Sequence, residues 1–184
     1  MAKKLTGVVT PLLTPLNSNG EVDLLTYDNL IRYCYEAGVS NFFLMGTAGE
    51  GGGIVESEKR KAIEHAAGYW DKKACLICGV LEPTTARAVE WLKHAEESGM
   101  RRFAITPPYY GETTLKDVFR HYVLLSEAAR PDTTLYIYNI PGETGTDIPV
   151  TMVKQIKSLG NFGGIKNSAE SLAKLIDLIG ETKE

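Results

Sequence analysis

Val9-Thr-Pro-Leu-Leu-Thr-Pro15 stands where the first strand of an α/β chain gives way to its first helix. A dinucleotide-binding fold would carry a G-x-G-x-x-G there, so that the backbone could approach a pyrophosphate. Prolines and threonines stand in its place, and the usual fingerprint is missing. Outward from this stretch, apolar runs recur about every 30 residues, near 5–10, 42–45, 74–80, 102–105, 134–138 and 162–165. Each run has the length of a buried strand. Amphipathic stretches follow them near 23–37, 57–70, 84–98, 114–130, 149–158 and 168–179. This α/β rhythm predicts a parallel sheet, either open and doubly wound or closed into a barrel. Distinctive polar residues cluster just after strands 1, 2, 4, 5 and 6, where barrel active sites lie, so a barrel is expected. No Ser/Pro-rich linker interrupts the series, and 1–184 reads as a single domain.

The helix ends carry their own signals. Ser57, Thr84 and the pair Thr113-Thr114 are expected N-caps, while Gly38 and Gly99 close their helices. With 43% hydrophobic and 23% charged residues and a net charge of −3, the chain has apolar surface for a core and no basic stripe for nucleic acid. No apolar run reaches the roughly 20 residues of a membrane span, and Met1-Ala-Lys-Lys4 is not followed by a signal-peptide core. A cytoplasmic protein is expected.

Three cysteines without a secretion signal argue for free thiols. Cys34 reads as a helical core residue. Cys75 and Cys78 form a C-x-x-C inside Ala74-Cys-Leu-Ile-Cys-Gly-Val80, where strand alternation sends the two side chains to opposite faces. His65, His94 and His121 sit singly on helical patterns and read as solvent-facing or partly buried. No metal site is assigned.

Chemistry gathers at the strand ends. Lys166, in Phe162-Gly-Gly-Ile-Lys-Asn-Ser168, ends an apolar strand, where a lysine pushed out of water becomes a nucleophile toward a ketone. Gly46-Thr-Ala-Gly-Glu50 is a glycine-flanked turn whose N–H groups and Thr47 hydroxyl can hold a carboxylate. Thr106-Pro-Pro-Tyr-Tyr110 places two phenols on a proline-stiffened loop, available as a relay or at an interface. In Tyr136-Ile-Tyr-Asn-Ile-Pro-Gly-Glu-Thr-Gly145, alternation points Tyr136 and Tyr138 the same way.

These segments, with the opening Gly7-Val-Val-Thr-Pro-Leu-Leu-Thr-Pro15, resemble the dihydrodipicolinate synthase and N-acetylneuraminate lyase family in order and approximate spacing. The resemblance runs from about Leu5 onward and implies a (β/α)8 TIM barrel whose lysine forms a Schiff base with pyruvate or another 2-keto acid, with no cofactor. On that resemblance Lys166 is the imine-forming amine and Tyr138 the proton shuttle. Thr47, with Gly46 and Ala48 beside it, binds the carboxylate and joins the relay. Tyr110 resembles the tyrosine that family members lend to a neighbouring subunit, which implies a homo-oligomer.

Three departures bear on function. Ala48 replaces a hydroxyl residue of the family's turn, which removes a bond to the keto-acid carboxylate worth roughly 1.5–3 kcal/mol. Glu143 stands two residues after Pro141, where dihydrodipicolinate synthases carry an arginine for the aldehyde's carboxylate. A carboxylate there repels aspartate semialdehyde and suits sugar hydroxyls. The expected activity is therefore a 2-keto-3-deoxy sugar-acid aldolase, with 4-hydroxy-tetrahydrodipicolinate synthase as the alternative. The third departure is length, since about six βα units are expected where the barrel has eight. A truncated chain or fragment is expected, and a catalytically silent keto-acid-binding remnant is a further alternative.

Overall fold

The computed structural model describes residues 5–169 and 171–182, so the reading of Met1–Lys4 lies outside the described residues. Strands β1 (Thr10–Pro11), β2 (Asn41–Leu44), β3 (Cys75–Val80), β4 (Arg102–Ile105), β5 (Thr134–Asn139) and β6 (Phe162–Asn167) alternate with helices. The long helices are α1 (Leu24–Glu36), α2 (Glu56–Trp70), α3 (Thr85–Glu97), α4 (Leu115–Ala128), α6 (Val150–Lys157) and α7 (Leu172–Thr182), and α5 is the short turn Pro141–Thr144. The sheet order is β1-β2-β3-β4-β5-β6, and every neighbouring pair is parallel. A doubly wound sheet would place its first strand in the interior, so this sequential order is that of a barrel wall.

Each central strand divides its side chains between two cores, as period-2 alternation requires. Phe42, Leu44, Leu76, Cys78, Phe103, Ile105, Leu135 and Ile137 face the helices. Phe43, Ile77, Ala104 and Tyr138 face inward, with Cys75 and Tyr136 packed beside them. Cys75 and Cys78 thus lie on opposite faces, as alternation predicts, and burial pushes the Cys78 thiol up to about 12. The inner face borders a cavity of about 590 Å³ lined by Leu5, Phe43, Ile77, Tyr136 and Ile165, with Lys166 at its rim.

Local rules account for most boundaries. Thr84 caps α3, and Thr114 forms a capping box with Asp117 at α4. Gly38 and Gly99 adopt φ of 96° and 111°. Four expectations are corrected. The strand expected over 5–10 pairs only at Thr10–Pro11, because Gly7 turns the backbone to φ 81° and Pro11 brings no N–H to the ladder. Ser57 is not the cap of α2, which starts at Glu56 with Val55 at the cap and no side-chain bond. Glu56 and Glu58 favour that end by their charge. The last helix begins at Leu172 rather than 168, because β6 runs on to Asn167.

His121 is the fourth correction, since it is 1% exposed rather than at the surface. Its Nδ1 lies 2.9 Å from the Thr85 hydroxyl and its Nε2 3.1 Å from the Thr106 carbonyl oxygen. The carbonyl requires the proton on Nε2, so Nδ1 accepts from Thr85. Burial lowers its pKa from 6.5 to about 4, against the opposing pull of the Thr106 carbonyl. The unfolded chain therefore binds a proton below pH 6.5 that the folded chain refuses until about pH 4. The stability contributed is full above pH 6.5 and declines through that window, by about 3 kcal/mol in all. Urea unfolding at pH 7 and pH 4 should show a drop larger by that amount in the wild type than in His121→Gln. Equal drops would remove His121 from the acid sensitivity.

Candidate active site

At the end of β2 the chain turns at once. Met45, wholly buried, takes φ 52°, a left-handed conformation costly for a residue with a Cβ. Its carbonyl is packed so tightly that a Cβ on Gly51 or Gly79 would sit 2.1 Å from it, so both positions demand glycine. Thr14 Oγ1 donates to the Gly49 carbonyl at 2.8 Å and pins the turn from the β1 side. This leaves Gly46 buried and Thr47 and Ala48 exposed at the strand-end rim.

From there the site assembles across the sheet. Thr47 Oγ1 and the Tyr138 hydroxyl are 3.0 Å apart. Tyr138 pairs in register with Lys166, and the Lys166 Nζ lies 3.7 Å from the Tyr138 ring centroid and 5.8 Å from that of Phe43. Phe43 meets the Tyr138 ring edge-on at 5.6 Å and holds it in place. Lys166 is half-buried, and its ammonium donates to Ser168 Oγ at 2.9 Å. An amine, a phenol and a threonine hydroxyl thus stand together, beside an apolar cavity, with the amine reachable from solvent. Such a set can attack a carbonyl and move protons about the resulting adduct.

Glu143, on α5, lines a neighbouring groove of about 340 Å³ with Thr47, Glu50, Thr106, Tyr109 and Thr144. The two phenols of the β4 loop separate. Tyr109 turns inward and donates to the Leu81 carbonyl at 3.0 Å, and burial raises its pKa. Tyr110, at φ 83° and 99% exposed, is not brought into the site within this chain. Sequence reasoning passed over two residues. Ser168 falls two positions after Lys166, and that spacing puts both on one side of an extended strand. Asn139, wholly buried behind Tyr138, donates to Asp147 and Asn167, each at 2.8 Å.

Comparison with known proteins settles the lineage. Residues 4–184 match the model of the Dihydrodipicolinate synthetase family. The chain belongs to that family. A 4-hydroxy-tetrahydrodipicolinate synthase of Thermotoga maritima is 32% identical over 179 residues, which cover 97% of this chain and 60% of the relative. A synthase of the same name from Fervidobacterium nodosum is 35% identical over 164 residues, 89% of this chain and 55% of the relative. A solved prophage protein of the dihydrodipicolinic acid synthase family from E. coli K12, in complex with pyruvate, superposes with a TM-score of 0.91 at 25% identity, over 97% of this chain and 59% of its own. The Thermotoga maritima dihydrodipicolinate synthase structure gives 0.87 at 30% identity, over 95% and 59%. The chain spans about 60% of the length of the curated relatives it matches. As a family member it presents six βα units of the family's TIM barrel. Among its described residues no helix is long and apolar enough to cross a membrane.

Proposed function

We propose that the chain carries the keto-acid-activating part of a lysine Schiff-base lyase, with pyruvate as the acid that Lys166 captures. The observation that carries this reading is the Lys166–Tyr138–Thr47 cluster, which brings together a nucleophile on β6, a phenol on β5 and a hydroxyl just past β2. The amine attacks the ketone carbon and water leaves as the imine forms. The imine draws electrons from the adjacent carbon, so a proton can be removed from it to give an enamine without a metal or organic cofactor. Tyr138, within hydrogen-bond reach of Thr47, moves that proton. The Gly46-Thr47-Ala48 turn, exposed at Thr47 and Ala48, receives the carboxylate, by backbone N–H groups where Ala48 lacks a hydroxyl.

For the second substrate, the names of the curated relatives support the synthase reading, condensation of pyruvate with aspartate semialdehyde, over the sugar-acid aldolase. One feature favours the aldolase as the second reading. Glu143 and Glu50 both line the groove beside Thr47, and its described lining includes no basic side chain. The fully exposed Tyr110 supports a homo-oligomer, in which that phenol serves a neighbouring subunit.

Incubation with pyruvate and borohydride, followed by peptide mass mapping, should place a reduced adduct on Lys166. An unmodified Lys166 overturns the Schiff-base reading and, if calorimetry still shows keto-acid binding, leaves the silent barrel. Condensation with aspartate semialdehyde, measured against cleavage of 2-keto-3-deoxy sugar acids, separates the two activities.

A further inference from the structure

The strand ends that carry Tyr138 and Lys166 are cross-linked one residue further along. Asn139 Nδ2 donates across the β5–β6 pair to Asn167 Oδ1 and also to Asp147 Oδ1, both at 2.8 Å. Its Oδ1 accepts the Ile148 N–H at 3.0 Å, so both amide protons and the carbonyl are in use. The Ser168 N–H donates to the Asn139 carbonyl at 2.8 Å and carries the pairing past the end of β6. Asp147 pairs in turn with Lys174 Nζ, which stands on α7. The Lys174 side chain is tucked against the protein, 11% exposed. A polar strut therefore runs from α7 through Asp147 and Asn139 to Asn167, directly beside the Tyr138–Lys166 pair.

We propose that Asn139 and Lys174 are positioning residues for the amine, through which helix α7 sets the alignment of Lys166 with Tyr138. The inference rests on the reading of Lys166 as the Schiff-base residue. Neither Asn139 nor Lys174 touches the reacting atoms. Their effect passes through the backbone at 138–139 and 166–168, where a small displacement moves the amine relative to the phenol that must serve it. Misplacement by 1 Å is worth on the order of 10²-fold in rate.

The test follows the rate at which pyruvate and borohydride label Lys166 in the wild type, Lys174→Met, Lys174→Arg and Asn139→Ala, across a range of pyruvate concentrations. Lys174→Met and Asn139→Ala should lower the saturating rate by about tenfold or more with little change in the half-saturating concentration. Lys174→Arg, which restores a cation for Asp147, should recover most of it. A merely structural role would not produce that split with rescue by arginine. Wild-type labelling in Lys174→Met overturns the proposal, and that variant decides the matter if Asn139→Ala fails to fold. A wild type that takes no label at Lys166 overturns the Schiff-base reading instead. The strut is then judged by amide hydrogen exchange over 162–168, where faster exchange in Lys174→Met is expected and unchanged exchange overturns it.

Discussion

Tyr138→Phe should slow proton exchange at the methyl group of bound pyruvate by about 10²–10⁴-fold, the usual contribution of a positioned proton-transfer group. The substitution is nearly isosteric. Tyr138 is 2% exposed and packs edge-on against Phe43, and phenylalanine keeps that contact. Only the hydroxyl and its bond to Thr47 are lost, at about 1 kcal/mol of stability. Exchange of the methyl protons with deuterated water, followed by NMR, reads the enamine step, while borohydride trapping reads the imine. The variant should lose much more of the first than of the second. Exchange at the wild-type rate would remove Tyr138 from proton transfer and leave it as a packing residue beneath the amine.

The largest single effect on stability is expected at a buried charge pair outside the Lys166–Tyr138–Thr47 cluster. Lys59, on α2, and Glu82, just past β3, are each 4% exposed and bonded to one another. The Lys59 ammonium also lies 4.3 Å from the Trp91 ring centroid, and Arg87 Nε donates to the second Glu82 oxygen at 3.0 Å. Glu82→Leu strands a buried ammonium without its carboxylate and should cost about 3–5 kcal/mol. Lys59→Met should cost less, because Arg87 still faces Glu82. The double replacement should come close to the wild type, since it removes both desolvation penalties together. Denaturant unfolding of the four proteins yields the coupling directly. A cost below about 1 kcal/mol for Glu82→Leu would mean that water reaches the pair.

Much of this was legible from residue order. The apolar runs of β2 to β5 yield strands over most of their length, because buried parallel strands are apolar on both faces and stand out from the amphipathic helices between them, whereas the first run pairs only at Thr10–Pro11. The opposite facing of Cys75 and Cys78, the shared face of Tyr136 and Tyr138, and the caps at Thr84 and Thr114 follow from local geometry alone. What stayed hidden depends on contacts distant in sequence. The sinking of His121 needs Thr85 and Thr106 to receive its ring nitrogens, and no helical pattern announces them. The left-handed Met45 is tolerated only because Gly51 and Gly79 make room for its carbonyl. Tyr109 and Tyr110 are indistinguishable in the sequence, yet one is bound to the Leu81 carbonyl and the other is fully exposed. The partnership of Asn139, Asp147 and Lys174 spans a loop and a helix, and periodicity does not encode it.

The lysine that defines the site stands on β6, one of the sheet's two outermost described strands. Within β6 only Phe162 is buried, and Gly163 and Gly164 supply no side chains to pack. Strands with so little buried surface open first when a protein breathes. A ligand that joins Lys166 to the Thr47 rim would lash this thinly packed edge strand to the turn that Thr14 already pins, and its binding free energy would be added to folding. Substrate would then act as a structural clasp, and occupancy would set how long this edge of the sheet survives heat or proteolysis.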